Sequence, residues 1–284
     1  FKSLPEYDNN FFRAYSAAQF QMPCGSSIDV EAARADGADI AIFVLSRIAG
    51  ENADRSVSEG DYLITAEEKS LLTQVCEAYQ DVVLVINTGG LVDLGFTDEF
   101  SNIRSILQFM QAGQEGGNAF ADVISGDVTP SGKMTDTWAL TYGDYPNASF
   151  FSHNSGDVYK EEYKEGIYVG YRYFDTSKVR VQYPFGFGLS YTEFTYSDLI
   201  IEEDGIKVSV TNTGDRDGAE VVQMYVGLPN AIVFRPEKEL KGFAKVYLKA
   251  GESRQLRIPF DDKTFRYWNI KTGQWEIETG TYQI

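Results

Sequence analysis

Glu51, Asn52, Asp54 and Arg55 crowd into the stretch "GENADRS", which follows closely on the apolar run "IFVLS". A carboxylic acid held where a buried strand meets solvent can serve as a general acid when apolar or aromatic neighbours raise its pKa. Glu51 is placed for that role, and Glu59, in "SEGD", is the second candidate because the loop is long enough to fold back. The competing reading is a solvated loop in which Glu51, Asp54 and Arg55 form surface ion pairs of little energetic weight. On spacing alone, the solvated loop is the simpler of the two.

Everything then depends on the elements that carry this loop. "DIAIFVLS", Asp39 to Ser46, is a near-continuous apolar run of the kind a parallel strand shows when both faces are covered. "TAEEKSLLTQVCEAY" reads as a helix, with Thr65 and Glu68 at capping-box spacing and Leu71, Leu72, Val75 and Ala78 on one face. "DVVLVINTGG" is a second buried strand ending in glycines, "IRSILQFM" a third, and "EGGNAFADVISGD" a short helix closed by Gly126. Strands separated by helices make βαβ units with right-handed crossovers around a largely parallel sheet. Ligands gather at the carboxyl ends of such strands, and Gly50-Glu51 lies at one of them.

Past "PFGFGLSYTEF", Phe185 to Phe194, the period drops to two. Ile206, Val208 and Val210 share a face, the chain passes through Gly214 to Gly218, and Val222, Met224 and Val226 resume the alternation, as do Leu256, Ile258 and Phe260. This pattern predicts a small all-β sandwich over 196–284, following an α/β domain over 1–195. Residues from about 140 to 195 form a long connection rich in Tyr and Phe, with no clean period. Its stripe of Tyr168, Tyr171, Tyr173 and Phe174 suits core packing or stacking on sugar faces.

The weaker motifs resolve more simply. "INTGG" lacks a full glycine-rich phosphate fingerprint and reads as a strand-to-helix turn. "GDRDG", Gly214 to Gly218, lacks the later glutamate of a calcium loop and reads as a hairpin turn. Cys24 and Cys76 have no metal-type spacing and read as buried free thiols, and His153 reads as a loop residue. One histidine and two cysteines give little material for a zinc site or a Ser-His-Asp triad, whereas a Glu/Asp mechanism needs neither, and no cofactor is called for.

The 284 residues are 43% hydrophobic, enough for more than one core. A formal net charge of -17 argues against a nucleic-acid partner, since a polyanion would be repelled. No apolar run approaches the roughly 20 residues that cross a bilayer, and "FKSLPEYDNN" has neither the basic flank nor the apolar core of a signal peptide. A soluble protein with no membrane partner is expected, cytoplasmic rather than secreted.

Taken in order, "SRIAGENADRS", "VVLVINTGGLVDL", "QAGQEGGNAFADVISGDVTPSGKMTDTW", "YKEGIYVGYRYFD", "YPFGFGLSYTEFTY", "VTNTGDRDGAEVVQMYVG" and "RPEKELKGFAKVYLKAGES" resemble the carboxyl-side part of glycoside hydrolase family 3, the family of many β-glucosidases. The resemblance implies an α/β sandwich followed by a fibronectin type III-like domain. It also implies a β/α barrel on sequence not seen here, which supplies an Asp nucleophile and binds the nonreducing sugar. On the same grounds Glu51 is the general acid/base, Asn52, Asp54 and Arg55 are substrate contacts, and the substrate is a β-linked glucoside or related oligosaccharide. Two carboxyl groups about 5–5.5 Å apart would retain anomeric configuration. Many relatives carry a Tyr two residues after the catalytic Glu; Ala53 stands there, so the aglycone contact is expected to be weaker or to come from elsewhere.

The short lead before Asp39 and the stop at "GTYQI" make the chain look like a fragment trimmed at both ends, inactive alone, with the barrel before or after it. A noncatalytic carbohydrate-binding or scaffold module of the same fold is the alternative.

Overall fold

The computed structural model describes residues 28–35, 37–47, 54–151, 159–160 and 162–284. By contact they fall into two units, Phe1–Gly117 with Leu140–Tyr142, and Asn118–Ala139 with Gly143–Ile284. Among the described residues, no helix is long and apolar enough to cross a membrane.

The first unit holds α1 (Val30–Ala35), β1 (Ile40–Arg47), α2 (Ala66–Ala78), β2 (Asp81–Thr88) and β3 (Ile103–Gln108). The strands form one parallel sheet in the order β1-β2-β3, with Ser46 opposite Asn87 and Arg47 opposite Thr88. β2 is the central strand, and its Val82, Leu84, Val85 and Ile86 are essentially without solvent exposure. Each such side chain contributes about 1.5–3 kcal/mol of hydrophobic stabilisation. β1 differs from the expectation of a strand covered on both faces: Phe43 and Leu45 are buried while Val44 is exposed. Among the described residues β1 pairs with β2 alone, and the burial of its side chains alternates with the pleat.

α2 begins as its sequence predicts. The Thr65 hydroxyl accepts from the Glu68 backbone N–H at 3.1 Å, and Glu68 Oε2 accepts from the Thr65 backbone N–H at 2.9 Å. Its own Leu71 and Leu72 are buried. α3 (Gly116–Ser125) ends at Gly126, whose φ of +83° is a backbone conformation that glycine adopts readily.

In the second unit, β4 (Trp138–Ala139) pairs antiparallel with β5 (Val181–Tyr183), and α4 (Tyr171–Ser177) lies between them in sequence. The aromatic connection therefore contains a helix and a short strand that its sequence did not announce. Its rings pack on one another: Phe174 is buried, and Tyr171 stacks on Phe185 at 4.8 Å. Aromatic burial, with no helical period to betray it, holds this turn of helix in place.

The remaining strands are β6 (Phe194–Glu202), β7 (Gly205–Asn212), β8 (Gly218–Val226), β9 (Glu239–Leu248), β10 (Ser253–Pro259), β11 (Arg266–Asn269) and β12 (Gln274–Ile277). One sheet has the order β10-β7-β6 and another pairs β8 with β9; both are antiparallel. Ile206, Val208 and Val210 meet Val222 and Met224 in a shared core with Val246, Leu248 and Ile258. The alternating residues thus face inward as expected, but "GDRDG" is not a hairpin turn. β7 and β8 belong to different sheets, so residues 213–217 carry the chain across the sandwich. Asn212, fully buried, organises that corner. Its Nδ2 donates to Arg216 O and Leu248 O, and its Oδ1 accepts from Gly214 N and the Thr192 hydroxyl.

Candidate functional site

The candidate site lies at the carboxyl end of β1 and β2 and is built around arginines. Arg47, the last residue of β1, is buried. Its guanidinium donates to Glu68 at 2.6 and 2.7 Å, to Asp61 O at 3.0 Å and to Leu63 O at 3.2 Å. A single side chain thereby joins the end of a strand, the loop that follows and the first turn of α2. A planar guanidinium with a forked set of donors suits this task, whereas a lysine would reach one acceptor direction at a time.

Arg55 forms the second anchor. Its Nε pairs with Asp61 Oδ1, and its Nη2 donates to Asp61 O at 2.8 Å. The other Asp61 oxygen accepts from the Ser56 backbone N–H and from the Ser56 hydroxyl. Burial pulls the Asp61 pKa upward, but the Ser56 N–H and the Arg55 guanidinium outweigh it and hold the carboxyl below its ordinary range. Residues 55–61 are thus closed on themselves by a carboxylate that stays ionised.

The turn after β2 completes the platform. Asp93 N donates to Tyr62 O at 2.8 Å, and the buried Tyr62 ring meets Tyr142 edge-on at 5.5 Å. Thr88 closes the turn by donating its hydroxyl to Gly90 O at 2.7 Å. A Cβ on Gly90 would sit 2.7 Å from Arg55 Nη1, so glycine there is what lets the guanidinium lie over the turn. "INTGG" is therefore a strand-end turn with a packing reason for its second glycine.

Of the residues singled out by sequence, Glu51 and Asn52 lie outside the described residues, as do Gly50, Ala53, Cys24 and His153. Asp54 is exposed beside Arg55, and Glu59 is exposed within a short bridge that pairs it with Leu63. Arg55 takes Asp61 as its ion-pair partner. Asp61 and Gly90 were not found by sequence reasoning; the only signal was an acidic residue after Gly60 and a glycine pair after a buried strand. Cys76 is free and half-buried, with burial pushing its thiol pKa up. Among the described residues, no three His, Cys, Asp or Glu side chains cluster as metal ligands.

A parallel sheet with a clamped carboxyl-end loop, followed by a β-sandwich, is matched by two family models. Residues 9–191 match the glycosyl hydrolase family 3 C-terminal domain, and residues 220–284 match a fibronectin type III-like domain. The chain belongs to glycoside hydrolase family 3. It is 39% identical to an exo-α-(1→6)-L-arabinopyranosidase of Bifidobacterium breve, an alignment covering 92% of this chain and 35% of that protein. It is 35% identical to thermostable β-glucosidase B of Acetivibrio thermocellus, covering 88% of this chain and 33% of that one. Among solved structures, β-glucosidase 3B of Thermotoga neapolitana in complex with glucose matches with a TM-score of 0.81 and 35% identity, covering 92% of this chain and 37% of the other. The chain thus spans about a third of the length of these family 3 relatives.

Proposed function

We propose that this chain supplies the general acid/base, Glu51, of a retaining glycosidase that releases terminal β-linked sugars. The Asp nucleophile then comes from a β/α barrel on sequence outside the 284 residues. Glu51 protonates the leaving glycosidic oxygen as the nucleophile attacks, and in the second step removes a proton from the water that frees the sugar. Asn52, Asp54 and Arg55 contact substrate beside it.

The observation that carries this reading is the double anchoring of the loop. Arg47 fixes the loop where it leaves β1, and the Arg55–Asp61 pair fixes it again beyond Glu51. A loop held from both ends at the carboxyl edge of a parallel sheet is a suitable support for an acid that must sit within hydrogen-bond reach of its substrate. A solvated loop with incidental surface pairs would not call for a buried arginine spanning three elements.

The relatives act on two kinds of glycoside by name, β-glucosides and α-(1→6)-linked L-arabinopyranosides, and both belong among the substrates to test. The decisive experiment uses the complete enzyme. Glu51→Ala should lose most of its turnover of alkyl glycosides, and azide should restore turnover of an aryl glycoside with a good leaving group. Loss of activity without rescue, in a protein that remains folded, would refute the acid/base role. Rescue in Glu59→Ala instead would transfer that role to Glu59.

A further inference from the structure

β11 and β12 pair antiparallel, with Arg266 opposite Ile277, Tyr267 opposite Glu276, Trp268 opposite Trp275 and Asn269 opposite Gln274. Side chains alternate across a strand, so Arg266, Trp268, Trp275 and Ile277 share one face of this hairpin, and Tyr267, Asn269 and Glu276 share the other. The second face is committed internally. Glu276 accepts from Asn269 Nδ2 at 2.8 Å and from the Tyr267 hydroxyl at 3.2 Å, and Arg235 lies over the Tyr267 ring at 4.9 Å. The first face is open to water: Trp268 is 50% exposed, Trp275 42% and Ile277 60%, and Ile270, just past β11, is 87% exposed.

The chain has three tryptophans, and the third, Trp138, is buried. Trp268 and Trp275 meet edge-on, with centroids 5.6 Å apart and planes at 71°. A cross-strand aromatic pair stabilises its own hairpin, but this contact still leaves about half of each indole in solvent. Two tryptophans and two isoleucines exposed together mark an interaction surface. Two cations border it. Lys263 Nζ lies over the Trp275 ring at 5.3 Å, and Arg266 shares the face of Trp268. Among the described residues neither side chain has an ion-pair partner, so their donors are open to an occupant. Charge and chemistry narrow what that occupant is. A formal net charge of -17 repels a second copy of the chain and any polyanion. A wholly apolar occupant would cover Arg266 and Lys263 without offering an acceptor to either. A neutral polymer of flat rings edged with oxygen acceptors meets both requirements: its ring faces pack on the indoles and its hydroxyls accept from the two cations. The pyranose rings of a β-linked glucan, with every substituent equatorial, have such faces, and this chain belongs to a family of glycoside hydrolases.

We propose that the exposed Trp268 and Trp275 face of the β11–β12 hairpin is a noncatalytic docking surface for a neutral β-glucan chain. The surface belongs to the second unit, and the proposal does not rest on the catalytic role of Glu51. A glucan lying there packs its rings on the indoles and on Ile277, with Arg266 and Lys263 donating to its oxygens.

The test is native affinity electrophoresis of the complete enzyme, with hydroxyethylcellulose, a soluble neutral β-glucan, held in the gel. Retardation that saturates with polymer concentration is expected. Polyvinyl alcohol, which carries hydroxyls without rings, and polygalacturonate, whose rings carry charge, should cause none. Trp268→Thr keeps a residue favoured in strands and should weaken the retardation at least about fivefold, while kcat/KM for a small aryl glycoside stays unchanged. Arg266→Gln keeps both indoles, serves as the second variant if Trp268→Thr does not fold, and should weaken retardation at least about twofold. Fluorescence of the 284-residue chain gives an independent readout: because Trp138 is buried, the change on adding hydroxyethylcellulose comes from the hairpin and should shrink in Trp268→Thr. The proposal would be overturned by no retardation, by equal retardation with polyvinyl alcohol, by retardation that both variants retain, or by a parallel loss of kcat/KM in Trp268→Thr, which would put the polymer in the catalytic site. A dimer in sedimentation that Trp268→Thr disperses, with no glucan bound by the parent, would overturn it in favour of a second copy.

Discussion

Arg47 grips Glu68 through two hydrogen bonds, 2.6 and 2.7 Å long, with both side chains largely withdrawn from water. Glu68 simultaneously caps α2 by accepting from Thr65 N, so the end of β1 and the start of α2 are fixed by one carboxylate. Where the candidate loop begins, Arg47 is thereby tied to both the sheet and the helix.

Removing the guanidinium should be costly. Arg47→Ala strips the largely buried Glu68 carboxylate of its counter-charge, and a loss of about 3–5 kcal/mol is expected on chemical denaturation. Glu68→Gln should cost clearly less, because glutamine at this position still supports the capping box and still offers one acceptor to Arg47. If the two variants were equally stable, the buried pair would not be what fixes the strand to the helix.

The Asp61 carboxyl titrates below its ordinary range in the folded chain, so its contribution to stability has a definite sign. The unfolded carboxyl has a pKa of about 3.9. The stabilisation is therefore complete above that value and is lost as pH falls through the lower, folded pKa. The Ser56 amide, which donates to Asp61, should be protected from hydrogen exchange at pH 5 and lose that protection in strong acid. In Asp61→Asn the protection should be weaker and should no longer follow this titration. A Ser56 amide that exchanges identically in both proteins across the range would separate the loop from the Asp61 charge.

Gly90→Ala should leave stability within about 1 kcal/mol, because the atom its Cβ meets is the end of a flexible side chain. The consequence should appear in Arg55 instead. Displaced from the turn, the guanidinium should loosen from Asp61, and the Arg55 Nε–H should exchange faster in the NMR spectrum. Two changes that act through one contact are not additive, so Gly90→Ala combined with Arg55→Ala should be no less stable than Arg55→Ala alone.

Much of the scaffold was legible because local signals and burial agreed. The capping box of Thr65 and Glu68, the apolar run of β2 and the period-two stripes of β7 and β8 each report one element, and each element forms. What escaped sequence reasoning depended on partners distant in the chain. β1 looked doubly covered because composition cannot reveal that, among the described residues, it pairs with β2 alone, and α4 is held by aromatic packing without helical period. At the candidate site, sequence suggests a place rich in Glu, Asn, Asp and Arg, whereas the pairing of Arg55 with Asp61 and the grip of Arg47 on three elements are set by tertiary geometry that no local spacing reveals.

The corner at Asn212 shows why "GDRDG" misled, and it supplies a sharp prediction. Glycines flanking charged residues between two alternating runs look like a hairpin, yet the preceding Asn212 commits both its donors and its acceptor to holding a crossover. Asn212→Ala would leave the Leu248 carbonyl and the Thr192 hydroxyl buried without their partner, each costing about 1–3 kcal/mol, so a total loss near 3 kcal/mol is expected. Asn212→Asp keeps the acceptors for Thr192 and Gly214 but replaces the two N–H donors with one oxygen that faces two carbonyls and buries a charge, so it should be no better than alanine. Asp217, by contrast, is an exposed residue of the same segment that accepts from Ala250 N and the Tyr247 hydroxyl, and Asp217→Asn retains one acceptor. Its effect on the melting temperature should be small. Equal losses for Asn212→Ala and Asp217→Asn would mean that the corner is held by its surface contacts and not by the buried amide.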